Sequence, residues 1–141
     1  MWPPTFDQRL MSWHRLRSQA AQHDLAGALR TINQWWWAAP WCAMSLSWQD
    51  QAEWPDPWAL LSRDKFCDLA RALGISYTIV LLPDWKLEDC ELRELEGRDV
   101  VSVSGARYIL NWSADIITGM PVGPGNPDRC VLLSQLETKL N

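Results

Sequence analysis

Apolar side chains recur every three or four residues at the start of the chain: Phe6, Leu10, Trp13, Leu16 and Ala20, with Arg9 and Arg17 on the same stripe. This spacing, following Pro3-Pro4, predicts an amphipathic helix that ends near His23. Asp24 is a cap for a second run, Leu25, Ala28, Leu29, Ile32 and Trp36, again at the helical period, so the two predict a helical hairpin. Pro40 stops the pattern. From Trp41 to Trp54 neither period holds, and Ser45, Ser47, Asp50 and Gln51 alternate with aromatics, which predicts an ordered loop.

Trp54-Pro55-Asp56-Pro57-Trp58 is the stiffest stretch, because each proline fixes its own backbone and drives the preceding residue towards an extended form. Asp56-Pro57 suits the cap and first position of a short helix. Ser62 offers a further start ahead of Phe66, Leu69, Ala70 and Leu73, with Gly74 as the expected stop. The β-branched run Tyr77-Thr78-Ile79-Val80-Leu81-Leu82, bounded by Pro83-Asp84, predicts a buried strand. Cys90 to Leu95 and Asp99 to Ser104 flank Glu96-Gly97-Arg98, and Gly105-Ala106 precedes Arg107 to Trp112, so a three-strand antiparallel meander follows.

Residues 119 to 127 carry three glycines and three prolines, a composition that predicts an extended arm. The tail Cys130 to Leu140 is expected to form a short helix that orders on a partner. The order of helices and then strands predicts an α+β fold: one domain over 1–118, helical and Trp-rich to 74 and a β-meander from 75, then an arm and tail over 119–141.

Composition sharpens this picture at one point. Eleven tryptophans stand against two phenylalanines and two tyrosines, and nine of them lie at or before Trp58. Consecutive helical residues point about 100° apart, so Trp35-Trp36-Trp37 cannot all enter one core face. Tryptophan is enriched at binding hot spots. The candidate partner-facing residues are Trp35, Trp37, Trp41, Trp54 and Trp58, joined in the tail by Val131, Leu132 and Leu136.

The net charge of −4 and the absence of a basic run argue against direct binding to nucleic acid. No apolar stretch approaches the roughly 20 residues of a membrane span, and the N-terminus has no basic region leading into an apolar signal core. The chain is expected to stay where it is made. Cys42, Cys67, Cys90 and Cys130 are widely spaced, so free thiols are expected, with no metal and no cofactor.

Candidate chemistry centres on Cys67, at a helix start where the N-terminal field favours thiolate. The placement resembles the cysteine helix of transglutaminase-like enzymes, which draw their base from a histidine on a later strand. This chain has no histidine after His23, so catalysis is not expected and Cys67 reads as a small apolar residue packed on the Tyr77 to Leu82 segment. Ser62-Arg63-Asp64-Lys65 lacks the companion motifs of serine acyl enzymes and reads as a cap with exposed charges. Glu88, Asp89, Glu91, Glu94 and Glu96 would alternate faces along a strand and stay solvated. Gly123-Pro124-Gly125 lacks the lysine and helix of a phosphate loop.

Five segments together resemble a family of tailed-bacteriophage proteins: Ile32 to Pro40 with its Trp35-Trp36-Trp37-Ala38-Ala39-Pro40, Glu53 to Leu61 with Trp54-Pro55-Asp56-Pro57-Trp58, Phe66-Cys67-Asp68-Leu69-Ala70-Arg71, Tyr77-Thr78-Ile79, and Tyr108-Ile109-Leu110-Asn111-Trp112. The resemblance covers roughly the middle half of the chain. It implies a structural part of the virion in the tail or baseplate, with the neck as the alternative position, assembled in the host cytoplasm beside other virion proteins. It carries no catalytic residues. Aromatic surface and an apolar tail are what a small subunit uses to lock into a symmetric assembly. The competing expectation is a cysteine-dependent hydrolase or transferase using Cys67.

Overall fold

The computed structural model describes residues 2–83, 89–123 and 125–140. Asp84, Glu88 and Pro124, invoked above at the end of a strand, in the carboxylate run and in the glycine-proline turn, lie outside these residues.

Two helices form the expected hairpin: α1, Phe6–Ala20, capped by the Thr5 hydroxyl, and α2, Leu25–Trp37, capped by Asp24. The buried face of α1 includes a cation. Arg9 gives its guanidinium to the carbonyls of Pro3, Pro4, Leu61 and Arg63, stapling the N-terminus to the end of the next helix. That helix, α3, Pro57–Leu61, starts at Asp56-Pro57 as predicted.

The largest departure from the sequence reading is α4, Asp68–Val80. Gly74 does not end a helix, and Tyr77 to Val80 is not a strand. Every residue from Leu69 to Ile79 is buried, and a helix enclosed on all sides is apolar all round, so it shows no amphipathic stripe. The glycine is a contact point: a Cβ at Gly74 would lie 2.5 Å from the Trp36 ring. Ser76 and Thr78 return their hydroxyl protons to the carbonyls four residues earlier, Ala72 and Gly74, so neither buried side chain opposes the helix.

The Thr78 oxygen also accepts the indole N–H groups of Trp13 and Trp36, both at 2.9 Å. One hydroxyl thereby joins α1, α2 and α4.

The meander follows: β1, Glu91–Leu95, β2, Arg98–Val103, and β3, Tyr108–Leu110. Two further strands, β4, Ile117–Thr118, and β5, Cys130–Leu132, complete an antiparallel sheet ordered β4-β3-β2-β1-β5. Helices and antiparallel sheet make the fold α+β. Leu92, Val101, Leu110 and Val131 join the core shared with the helices, whereas Leu95, Val100 and Ile109 form a smaller cluster with Trp112, Ile117 and Val122.

The tail packs on the rest of the chain. β5 pairs with β1, placing Leu92 opposite Val131, and a 3-10 helix over Leu133–Leu140 buries Leu133 and Leu136. Lys139 donates to the Trp54 carbonyl. Gly125 lies so close to the Glu94 carbonyl that no side chain fits there. The C-terminal segment is thus part of the fold rather than an extended arm, although 119–123 and 125–129 contain no helix or strand.

Candidate functional site

The loop between α2 and α3 is the unusual element. A parallel bridge of Trp41 to Phe66 anchors its start, with the Phe66 N–H on the Pro40 carbonyl and the Cys42 N–H on the Phe66 carbonyl. Arg63 donates to the Ser45 carbonyl. A 3-10 turn over Trp48–Glu53 follows, and Trp54 is buried, its indole donating to the Ser47 carbonyl and packing edge-on to Trp48. The Tyr77 hydroxyl donates to the Pro55 carbonyl. The loop is therefore fixed from several sides, and it holds Trp41 at 60% exposure and Met44 at 77%.

These two side chains border a cleft of about 270 Å³ whose other walls include Trp48, Cys67, Asp68, Asp99 and Arg129. Asn111 joins the backbones of the two aspartates. Its left-handed backbone (φ 67°) turns the chain after β3, and its amide donates to the backbone carbonyls of both Asp68 and Asp99. The Asn111 N–H in turn donates to Asn33 of α2. A buried asparagine pair thus ties the start of α4 to the start of β2.

Asp99 accepts the Trp48 indole N–H at 2.7 Å. Burial pushes its carboxyl up to about 6, with Asp68 and Glu94 adding to the rise against the Trp48 bond and Arg129. Arg129 is held by Glu94. The ion pairs among the described residues include neither Asp68 nor Asp99.

Cys67 is the N-cap residue of α4. The Ser45 hydroxyl accepts from the Cys67 N–H and donates to its sulfur at 3.4 Å. Burial pushes the thiol up, but the Ser45 hydroxyl and backbone groups of Ala70, Ser45 and Leu46 outweigh it, leaving the thiol below its ordinary value. Cys67 remains only 4% exposed, and neither histidine lines the cleft. The expected packing of Cys67 on a strand is replaced by a place at the head of the helix that contains Tyr77.

The proposed partner-facing residues divide. Trp41 is at the cleft, while Trp58 on α3 and Leu132 on β5 are exposed elsewhere. Trp54, Val131 and Leu136 are core residues and not the partner-facing side chains expected from the sequence. Trp35 is half-buried, donating to Ser12 and packed against Trp2 with the rings tilted at 56° and their centres 4.6 Å apart, and Trp37 lies under the Arg71 guanidinium. Sequence reasoning missed Met44 and Asp99, whose place at the cleft depends on packing between distant segments. Among the described residues no disulfide joins the four cysteines. Among the described residues, no cluster of three or more His, Cys, Asp or Glu could hold a metal ion, and no helix is long and apolar enough to cross a membrane.

No family model, curated protein or solved structure matches this chain.

Proposed function

We propose that this chain is a structural subunit of a tailed-phage particle, sited in the tail or baseplate, that docks on a neighbouring virion protein through the Trp41–Met44 face. The carrying observation is the pair of large apolar side chains held outward by a loop that is itself anchored to the core. Exposed apolar surface on a rigid support suits binding, because little conformational entropy remains to be lost on contact. The motif resemblance supplies the assembly context, with assembly in the host cytoplasm and a neck position as the alternative. The test is mass spectrometry of particles purified from cells expressing the chain or its Trp41→Ser/Met44→Ser variant. Incorporation of the parent chain and loss of the variant support the reading; equal incorporation of both, or of neither, overturns it.

A second reading rests on Cys67, its thiol lowered by the Ser45 hydroxyl, lining the same cleft as Asp99, whose carboxyl burial pushes up to about 6. A thiolate there would attack an acyl carbonyl, and a protonated Asp99 would give its proton to the departing amine or alcohol. The burial of Cys67 weighs against it. Acyl-enzyme trapping with an activated ester, compared between the parent and Cys67→Ala, decides: a covalent adduct absent from the variant favours this reading, and identical mass spectra exclude it.

A further inference from the structure

The partner's chemistry follows from the charges around the cleft. Its rim is apolar and aromatic, with Trp41 and Met44 outermost and Trp48 within. Of the charged groups that line it, Arg129 pairs with Glu94 while also acting on Asp99, and Arg71 behind the cleft acts on Asp68, but neither aspartate makes a direct ion pair among the described residues. A carboxylate partly removed from water with a second carboxylate acting on it is unfavourable in its charged form, and a nearby cation relieves that cost. An aromatic rim over a carboxylate floor matches a long aliphatic stem ending in a positive charge, since the stem covers apolar surface and the head reaches the anions.

We infer that the cleft receives a lysine or arginine side chain of the neighbouring protein, its stem between Trp41 and Met44 and its cationic head on Asp99 and Asp68. This inference rests on the docking reading and adds the chemistry of the contact. The added cation offsets part of the excess negative charge that Asp68, Asp99 and Glu94 leave over Arg129. A neutral apolar anchor would cover Trp41 and Met44 while leaving both carboxylates further desolvated, so the site selects against it.

The full chain is titrated by NMR with N-acetyl-lysine-N-methylamide and, separately, with its uncharged counterpart N-acetyl-norleucine-N-methylamide. The lysine probe is expected to move the Trp48 indole N–H signal and to lower the Asp99 titration midpoint by about one pH unit or more. The norleucine probe leaves that midpoint unchanged, and Asp99→Asn with Asp68→Asn abolishes the lysine response. An equal response to both probes, no response to lysine up to about 50 mM, or a lysine response that survives in the double variant overturns the inference. Its failure is separable from that of the docking reading. If lysine does not bind and Trp41→Ser/Met44→Ser still abolishes incorporation into particles, docking stands with a different anchor. If lysine binds and incorporation is unaffected, the cation cleft stands without virion docking.

Discussion

Replacing Thr78 by valine exchanges a hydroxyl for a methyl of nearly the same shape and removes a single oxygen. That oxygen donates to the Gly74 carbonyl and accepts from Trp13 and Trp36, so its one proton and two lone pairs are all in use. Both indoles and Thr78 itself are essentially inaccessible to water. In the valine variant, two buried N–H donors lose their acceptor, at about 1–3 kcal/mol each. The expected loss is about 2–6 kcal/mol, a large part of the roughly 5–15 kcal/mol that keeps a domain folded. Thr78→Ser retains the oxygen and loses one methyl, at about 1 kcal/mol. Guanidinium unfolding followed by circular dichroism measures both, provided that the slope of the transition is unchanged. A valine variant within about 0.5 kcal/mol of the parent, or a serine variant as damaged as valine, would refute the assigned role of the hydroxyl.

Other substitutions probe the same core and the cleft. Gly74→Ala would raise helix propensity, yet its Cβ would meet the Trp36 ring at 2.5 Å; a net loss of about 1–3 kcal/mol in denaturant unfolding is expected from overpacking. Because Asp99 is pushed up from 3.8 to about 6, the folded chain holds its proton more tightly than the unfolded one. Its contribution therefore makes the fold more stable as the pH falls through 6 towards 4, by at most about 3 kcal/mol. Asp99→Asn, which keeps an acceptor for Trp48, should be the more stable protein at about pH 7 and lose that advantage by about pH 4, read from unfolding midpoints at each pH. Asn111→Ala frees the backbones of Asp68 and Asp99 and leaves polar groups unpaired, so a loss of about 2 kcal/mol or more is expected in the same assay.

The sequence was most legible where each element has one wet face. α1 and α2 alternate apolar and polar positions at the helical period, Asp24 and Asp56 cap the helices expected of them, and Glu96-Gly97 turns the chain between β1 and β2. α4 has no wet face to give it a period, and its Thr78, Ile79 and Val80 favour strands in isolation. Packing on Trp36 and on the sheet outweighs a local preference of a few tenths of a kcal/mol per residue. Gly74 was misleading for the same reason: it makes room for an aromatic ring instead of ending a helix. The tail's glycine-proline stretch concealed β5, whose three residues are too few to show an alternating pattern. Within the Trp-rich segment, exposed Trp41 and buried Trp54 look alike by composition; the difference lies in the Ser47 carbonyl and Trp48 ring that only the folded loop supplies. The cleft was least legible of all, since residues 44, 67 and 99 meet through packing between the loop, α4 and β2.

The central claim is that the Trp41–Met44 face docks on a virion neighbour. Its most direct measurement is the number of copies retained per purified particle for Trp41→Ser/Met44→Ser, set against Trp58→Ser, which alters an exposed tryptophan away from the cleft. With both variants unfolding at the parent's midpoint, the account predicts that the double variant falls by about 30-fold or more, corresponding to loss of a binding hot spot of about 2 kcal/mol, while Trp58→Ser is retained like the parent. Equal retention of the double variant and the parent would contradict it.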